Sequence, residues 1–249
     1  MHVAARYGKE DIVNLLLSKG DDANTKSRAG RTPLHEACKY GHVAVAKLLL
    51  EQYGAKIEAP DEDGKTPLHL ACDYGKDAVA KLLLEAESVA INTRDIHGKT
   101  PLHLATAGGH EDIVRLLCQR KASIEPDEEK ITPLHFAASK GLAKIVQLLL
   151  ETASPTDITA VDQGGWTALH HAASQKFNGQ CKIVSQLLDK EKDLLEKTST
   201  DGQTALFIAA YYGNAEVVQL FLKKKKPTQM HPTKPKTRQC TLHALRAIN

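Results

Sequence analysis

One four-residue string, repeated at nearly constant spacing, constrains the fold of this chain more than any other feature. The string Thr-Pro-Leu-His and its looser copies begin at Thr32, Thr66, Thr100, Thr132, Thr167 and Thr204. Successive copies are 34, 34, 32, 35 and 37 residues apart, and residues 1–24 fit a truncated earlier copy. A period of this length indicates a repeat architecture, so the chain is predicted to stack one structural unit several times.

Each copy has the physical signals of two short helices. A Thr hydroxyl can accept a hydrogen bond from the free amides at a helix start, and Pro fits the first helical position, as at Thr32-Pro33. Leu34 then begins an apolar face, and Gly41 provides a left-handed stop. A second, leucine-rich helix follows at Leu48–Leu50, before a polar turn. One helix pair cannot bury both apolar sides, so neighbouring copies must pack together.

Six registered copies of Thr-Pro-Leu-His-x-Ala or its variants, from residue 1 to about 222, resemble the ankyrin-repeat family. The resemblance implies an all-α solenoid of stacked antiparallel helix pairs joined by β-turn or hairpin loops. It also implies that the signature histidines hydrogen-bond between neighbouring repeats. The predicted repeats are 1–24, 25–58, 59–92, 93–125, 126–161, 162–197 and 198–222.

Several positions depart from the family pattern. Lys130 replaces the turn glycine of the fifth copy, and Lys121 stands where a glycine usually ends a second helix. The sixth copy has three extra residues at 176–178, and the seventh has Phe207 instead of the signature histidine. These departures predict locally altered repeats within the same fold.

Charge is distributed unevenly along the chain. The net charge is +3, but residues 223–249 carry +8 and the remaining 222 residues carry −5. A mildly acidic body argues against nucleic-acid binding, which needs a broad basic surface. For the basic, proline-containing tail at 223–249, the two interpretations are a disordered segment and a degenerate eighth repeat. A nuclear import signal in this tail is a further hypothesis.

Cysteine usage and hydropathy predict a cytoplasmic protein, with the nucleus as the alternative location. The chain has five cysteines, an odd number, and none of them form a Cys-x-x-Cys pair. A disulfide framework is therefore not expected, which favours a reducing compartment. No apolar run approaches the roughly 20 residues of a membrane span, and no signal peptide follows Met1. Because Met1 falls inside the first helix of an incomplete copy, a second hypothesis is that the chain is a fragment of a longer array.

No catalytic, cofactor or metal site is expected from the sequence. The signature histidines occur once per repeat, so neighbouring rings should lie about 10 Å apart, too far to share a metal ion. Phosphate-binding loops, nucleophile elbows and kinase motifs are missing from the sequence. Cys38 and Cys72 are expected to be inert core thiols. The chain is therefore predicted not to be an enzyme and to have no small-molecule substrate.

The resemblance implies that a protein partner binds to the turn tips and to the exposed end of each first helix. Five of the six tyrosines fall at these helix ends, and the single tryptophan falls in a turn. Tyr, Trp and Arg dominate the energetics of protein interfaces. We therefore expect Tyr7, Tyr40 and Tyr74 to form a ladder along one face; the alternative is that these rings only cover helix ends. The predicted partner-binding residues are Arg6, Tyr7, Arg28, Arg31, Lys39, Tyr40, Glu62, Asp63, Asp73, Tyr74, Trp166, Tyr211 and Tyr212.

Two functions fit this pattern. The first is a non-catalytic scaffold or adaptor that binds a protein through its turn tips and the concave face formed by the first helices. The second is the recognition arm of a larger signalling, ubiquitin-ligase-adaptor, channel or transcription-regulatory protein, whose effector part is absent from this sequence.

Overall fold

Helices account for the regular secondary structure of the described part of the chain. The computed structural model describes residues 1–176 and 179–224, and apart from one isolated β-bridge between Thr198 and Thr204 it has no strand there. Most of the predicted insertion (Phe177 and Asn178) and most of the basic tail (225–249) lie outside the described residues. The chain divides into two compact units, Met1–Ser123 and Ile124–Asn249.

The first unit consists of four helix pairs. Its helices are α1 His2–Arg6, α2 Glu10–Ser18, α3 Pro33–Tyr40, α4 Val43–Tyr53, α5 Pro67–Asp73, α6 Asp77–Glu85, α7 Pro101–Gly108 and α8 Glu111–Gln119. The first helices of successive pairs pack on one another, as do the second helices. Leu34, Leu68 and Leu102 and the second-helix residues Leu49 and Leu83 are fully buried between these layers. The prediction of stacked helix pairs is confirmed.

The second unit repeats this arrangement with two additions. Its described helices are α9 Pro133–Ser139, α10 Ala143–Thr152, α11 Pro155–Ile158, α12 Ala168–Ser174, α13 Gln180–Lys190, a 3-10 helix at Lys192–Leu195, α14 Ala205–Tyr211 and α15 Ala215–Lys224. Helices α9, α12 and α14 pack in series, and so do α10, α13 and α15. The repeat pattern did not predict α11 or the 3-10 helix.

Every first helix from α3 to α12 begins with the same Thr–His cap. In α3, the Thr32 amide donates to Nδ1 of His35 at 3.0 Å, and the Thr32 hydroxyl lies 2.9 Å from the same nitrogen. An amide can only donate, so Nδ1 must be unprotonated and Nε2 must carry the proton. The cap thereby fixes the neutral form and the tautomer of the ring.

The protonated Nε2 of most signature histidines joins one copy to the next. It lies 2.8–3.1 Å from a carbonyl oxygen of the following copy in four cases: His2 to Arg31, His35 to Lys65, His69 to Lys99 and His170 to Gln203. Nε2 of His135 lies 3.1 Å from the carbonyl oxygen of Ala160, near the end of its own copy. The structure thus confirms the inter-repeat bonds that the resemblance implies. Burial lowers the pKa of His35, His135 and His170 to about 4 in each case.

A second link between copies involves side chains after the second helices and was not predicted. The amide of Lys56 donates to Oδ1 of Asn24 at 2.7 Å, and the amide of Ser123 donates to Oδ1 of Asn92 at 2.8 Å. Glu58 takes the same role toward Ala90 at 2.9 Å. These three acceptors are spaced by 34 residues, a regularity that was visible in the sequence.

The positive-φ turns follow the glycine pattern, and the two lysine departures keep the glycine conformation. Gly41 ends α3 at φ 83°, as predicted. Lys121 and Lys130 adopt φ 58° and 60°, in the left-handed region that side chains with a Cβ rarely occupy. The fourth copy, at Lys121, and the fifth copy, at Lys130, therefore keep the backbone of their neighbours with a strained residue.

The first aspartates of two turns are buried, although they lie in polar loops. Asp61 and Asp127 are buried, at 7% and 5% exposure. Oδ1 of Asp61 accepts hydrogen bonds from the amides of Asp63 and Lys65, at 3.0 and 2.9 Å. The carboxylate turns inward because it is the local acceptor for loop amides that no strand partner would otherwise satisfy.

Candidate protein-binding surfaces

The ends of the first helices in unit 1 form a continuous alternation of cations and rings. The Arg6 guanidinium lies 5.0 Å from the centroid of the Tyr40 ring, and Nζ of Lys39 lies 5.5 Å from the same centroid. Nζ of Lys39 also lies 4.8 Å from the centroid of the Tyr74 ring. All three distances fall within the range of cation–π attraction. We call Arg6, Lys39, Tyr40 and Tyr74 the Tyr–cation ladder.

Much of this ladder is accessible to solvent. Tyr74 is 46% exposed, Arg6 is exposed, and Lys39 and Tyr40 are half-buried. Tyr7, the third tyrosine of the predicted ladder, is 65% exposed and has no such contact with a cation among the described residues. Two of the three predicted tyrosines are therefore linked through lysine, and contact with a partner stays a prediction for all of them.

Histidines directly before the second helices α4 and α8 support the ends of first helices at the ladder. Nε2 of His42 lies 2.8 Å from the carbonyl oxygen of Arg6, and Nε2 of His110 lies 3.2 Å from that of Asp73. A Cβ at Gly8 or Gly75 would stand 2.5 Å from these rings, so each glycine is required for the ring to approach. Sequence reasoning missed this role, although the dipeptides Gly41-His42 and Gly109-His110 were its signal.

In the third copy, an ion pair takes the place of the free cation at the first-helix end. Nζ of Lys65 lies 3.3 Å from Oδ2 of Asp73, and both side chains are partly buried. Asp73 stands where Arg6 and Lys39 stand in the first two copies. The run of positive charge at the helix ends therefore stops at the third copy.

The turn tips of unit 1 carry exposed charges, with one difference from expectation. Arg28, Glu62 and Asp63 are exposed, and the Glu62 amide donates to the Ala29 carbonyl at 3.1 Å, which ties adjacent tips together. Arg31 is only 23% exposed at its side chain, because its Nε bonds to Oδ2 of Asp61 at 3.2 Å. Its charge is thus partly neutralised inside the protein.

Trp166 in unit 2 belongs to a half-buried cluster. Its ring centroid lies 5.2 Å from that of His171, which in turn lies 5.4 Å from that of His135. Nε2 of His171 lies 2.8 Å from Oδ2 of Asp162. Burial alone would raise the pKa of Asp162, but the Trp166 amide and the His171 ring outweigh it and hold that pKa below its ordinary value. The cluster leaves only part of the indole available to a partner.

Tyr211 and Tyr212 form a separate aromatic patch at the end of α14. They are 72% and 46% exposed, and their rings meet edge to face with centroids 5.2 Å apart. The Phe207 ring stacks on Tyr211 at 6.2 Å. Phe207 thus extends an exposed patch in the copy where it replaces the inter-repeat histidine.

The described residues include no group of three or more His, Cys, Asp or Glu side chains that could hold a metal ion. Over the same residues, every helix is too short or too polar to cross a bilayer. Cys38 and Cys72 are fully buried, and burial raises the pKa of both thiols. Nucleophilic chemistry needs the thiolate, so these residues act as core side chains.

Comparison with known proteins agrees with this architecture. A family model described as ankyrin repeats matches three times, over residues 1–95, 87–162 and 152–232. The structure of the human ASB11 ankyrin repeat domain is similar, with a TM-score of 0.73 and 30% identity, covering 91% of this chain and 97% of that one. The ankyrin repeat domain of Bcl-3 is similar at a TM-score of 0.73 and 27% identity, covering 88% of this chain and 96% of that one.

Similar curated proteins are much longer than the segments they share with this chain. A probable E3 ubiquitin-protein ligase XBOS33 of Oryza sativa subsp. japonica is 48% identical over 50 residues, which are 20% of this chain and 10% of that protein. A transient receptor potential cation channel subfamily A member 1 homologue of Caenorhabditis elegans is 62% identical over 40 residues, 16% of this chain and 3% of that protein. The chain is therefore a member of the ankyrin-repeat family, whose repeats form protein–protein interaction modules.

Proposed function

We propose that this chain is a non-catalytic adaptor that holds a protein partner against its first-helix ends and turn tips. The observation that carries the proposal is the Tyr–cation ladder, in which Lys39 lies between the rings of Tyr40 and Tyr74. Aromatic rings and cations at the surface are the residues that contribute most to binding energy at protein interfaces.

The ladder is ordered before a partner arrives. The cations of Arg6 and Lys39 contact the Tyr40 ring. His42 and His110 hydrogen-bond to carbonyl oxygens at the first-helix ends and so hold the backbone there. Ordering a flexible side chain on binding costs about 0.5–1.5 kcal/mol, so rings that are already fixed retain more of their contact energy. This supports a binding role over a merely covering role for the tyrosines.

The chemistry of the buried groups supports the absence of catalysis. The capped histidines are neutral and use both ring nitrogens in hydrogen bonds that hold the fold together, as His35 does. The fully buried thiols of Cys38 and Cys72 have raised pKa values. A general base or nucleophile must instead reach a substrate in a reactive protonation state.

Replacing both ladder tyrosines tests the proposal. We expect the double variant Tyr40→Ala, Tyr74→Ala to bind a protein captured by the wild-type chain at least about tenfold more weakly, because two interface rings are lost. Calorimetric titration with the captured partner measures the affinity, and circular dichroism verifies that helical content is unchanged.

Tyr53→Ala is the matched control, since Tyr53 lies at the end of a second helix and bonds to Asn14. It should leave the affinity unchanged. Equal affinity of the double variant and the wild type would reject the ladder as the binding surface.

A second candidate is that this chain is the recognition arm of a larger protein. It is favoured by the similar ubiquitin ligase and channel homologue, in which the matched segment is 10% and 3% of the protein. An antibody against residues of unit 1 should then detect a protein well above 27.2 kDa in native extracts. A single band at that mass would contradict this candidate.

We further propose a reducing compartment, the cytoplasm with the nucleus as the alternative. The thiols of Cys38 and Cys72 are free and buried, which is the state that cytosolic reductants maintain. Fractionation of cells expressing a tagged chain tests the location, and recovery in the secreted fraction would contradict it.

A further inference from the structure

We propose that the Tyr–cation ladder binds an acidic polyproline-II segment of a protein partner, with two carboxylates three residues apart. The proposal rests on the proposed function and names the chemistry of the partner at that same surface. Three observations carry it: the charge of the ladder, the spacing of its cations and the rings between them.

The ladder offers two positive charges without carboxylate partners. No ion pair to Arg6 or Lys39 occurs among the described residues, and both cations lie over rings instead. A cation over a ring keeps much of its charge available to a second ligand. Glu36 precedes Lys39 by three residues in α3, a spacing that puts both on one side of the helix, but it forms no ion pair with Lys39 among the described residues. A partner that brings carboxylates would supply the missing counter-charges.

The positions of the two cations fit an extended partner. The Arg6 guanidinium and Nζ of Lys39 lie 5.0 and 5.5 Å from the Tyr40 centroid, so they can be no more than about 10.5 Å apart. Equivalent positions in successive helix layers are about 10 Å apart. A polyproline-II helix has three residues per turn and rises about 3.1 Å per residue. Side chains at positions i and i+3 therefore point the same way about 9 Å apart, a separation that this limit allows for Arg6 and Lys39.

The rings supply the second element of recognition. Tyr40 and Tyr74 are separated by Lys39 and present aromatic surface on either side of it. Aromatic-lined grooves are the usual docking surface for proline-rich segments, whose conformation is fixed before binding. The residues between the carboxylates would then be prolines that pack on the tyrosine rings.

The Lys65–Asp73 pair limits the length of the acidic motif. Asp73 has its charge satisfied by Lys65 and replaces the cation of the third copy. A third carboxylate in register would approach Asp73 rather than a free cation, and like charges repel. Two carboxylates spaced by three residues are therefore the acidic element that the ladder can pair.

Three labelled peptides test the proposal on the full chain by fluorescence polarisation. The first contains four Glu-Pro-Pro triplets and the second four Lys-Pro-Pro triplets. The third has two glutamates at each end of a run of eight prolines, so that no two of its carboxylates are three residues apart. We expect the first to bind at least about fivefold more tightly than the others, with an affinity that falls as salt rises. Equal binding of the first and third peptides would overturn the proposal, because charge alone would then suffice.

Variants assign the binding to the ladder. Lys39→Met keeps the length of the side chain but removes its charge, and should weaken the first peptide about fivefold to tenfold. Glu36→Gln should strengthen it, because a repelling carboxylate is removed. Lys47→Met is the matched control, since Lys47 is exposed on α4 and pairs with Glu51. Unchanged binding by the Lys39 variant would overturn the proposal.

The peptide experiment separates this inference from the proposed function. If the triplet peptide fails while the tyrosine double variant still loses its captured protein, the adaptor function stands and the acidic polyproline-II class is wrong. If both fail, the ladder is not a binding surface.

Discussion

Lys130 shows how a single residue can keep a repeat's conformation against its own preference. It adopts φ 60° at the turn position where other copies have glycines such as Gly64 at 71° and Gly202 at 74°. The left-handed conformation costs a residue with a Cβ about 1–2 kcal/mol. The turn is kept because the Asp127 carboxylate binds the amides of Glu129 and Ile131 around it.

We expect Lys130→Gly to stabilise the protein by about 0.5–1 kcal/mol. Glycine removes the strain of the positive φ, and its greater freedom in the unfolded chain cancels part of the gain. Urea unfolding followed by circular dichroism measures the change in the free energy of unfolding.

The reverse substitution, Gly202→Lys, is the control for this prediction. A Cβ at Gly202 meets no atom within 4 Å, so backbone strain alone should destabilise this variant by a similar amount. A lower stability of the Lys130→Gly variant would show that the lysine contributes an interaction worth more than its strain.

At the residue scale, the sequence predicted backbone and core roles better than surface roles. The cap function of Thr32, the left-handed stop at Gly41 and the burial of Cys38 followed from residue chemistry and periodicity. The inward turn of Asp61 and its contact with Arg31 did not, because they depend on loop amides and on a neighbour 30 residues away. Partner contact by the predicted surface residues stays a prediction.

At the scale of the helix, the shared Thr–His cap makes the first helices sensitive to acid. The Thr32 amide points at Nδ1 of His35, so a second ring proton would break that hydrogen bond. Burial lowers the pKa of this ring to about 4, whereas an unfolded histidine titrates near 6.5. The same holds for His135 and His170, and burial also lowers the pKa of His69.

Stability should therefore fall as pH decreases from about 6.5 toward 4. The histidines of the unfolded chain take up protons in this window and those of the folded chain do not. Each such histidine therefore lowers the free energy of unfolding by about 1.4 kcal/mol per pH unit there. Above about pH 6.5 this contribution is fully present. Unfolding free energies measured by urea titration between pH 7.5 and 4 test the expectation.

His35→Gln provides the control for the acid effect. The variant should be less stable at neutral pH, because it loses the cap and the bond to the Lys65 carbonyl. The free energy of unfolding of the variant should depend less steeply on pH, because its unfolded chain takes up one proton fewer. The same slope as the wild type would mean that His35 is protonated in the folded state.

The helices were more predictable than the segments between them. Six helix starts followed from the Thr signature, because a cap is a local feature of four residues. The short helix α11 was missed, although Ser154 caps it with Asp157 and Pro155 occupies its first position. Its signal is only four residues long and does not recur with the repeat period, so periodicity could not reveal it.

At the scale of the whole molecule, stability resides in contacts between successive copies rather than in one central core. In unit 1, α4 packs on α2 and α6, and α6 packs on α8. Leu83 of α6 is fully buried within this series. The repeat period predicted this stacking, whereas the division of the chain at Ser123 had no signal in the sequence.

We expect Leu83→Asp to destabilise the copies on either side of α6 by about 4 kcal/mol or more, because it buries an unpaired charge. Hydrogen exchange should show lost protection in α4, α6 and α8. Leu15→Asp is the matched control, since Leu15 is 57% exposed on α2 and should leave exchange there nearly unchanged. Wild-type protection in the Leu83 variant would contradict the stacking.

The placement of Trp166 gives the protein an intrinsic optical probe. It is the only tryptophan in the sequence, and it lies against His170 and His171. His171 in turn packs on His135 of the preceding copy, so the indole lies at the junction of two copies. An indole emits according to the polarity and the quenchers around it. Its fluorescence will therefore record the opening of that one junction without a label, while circular dichroism averages over all the helices.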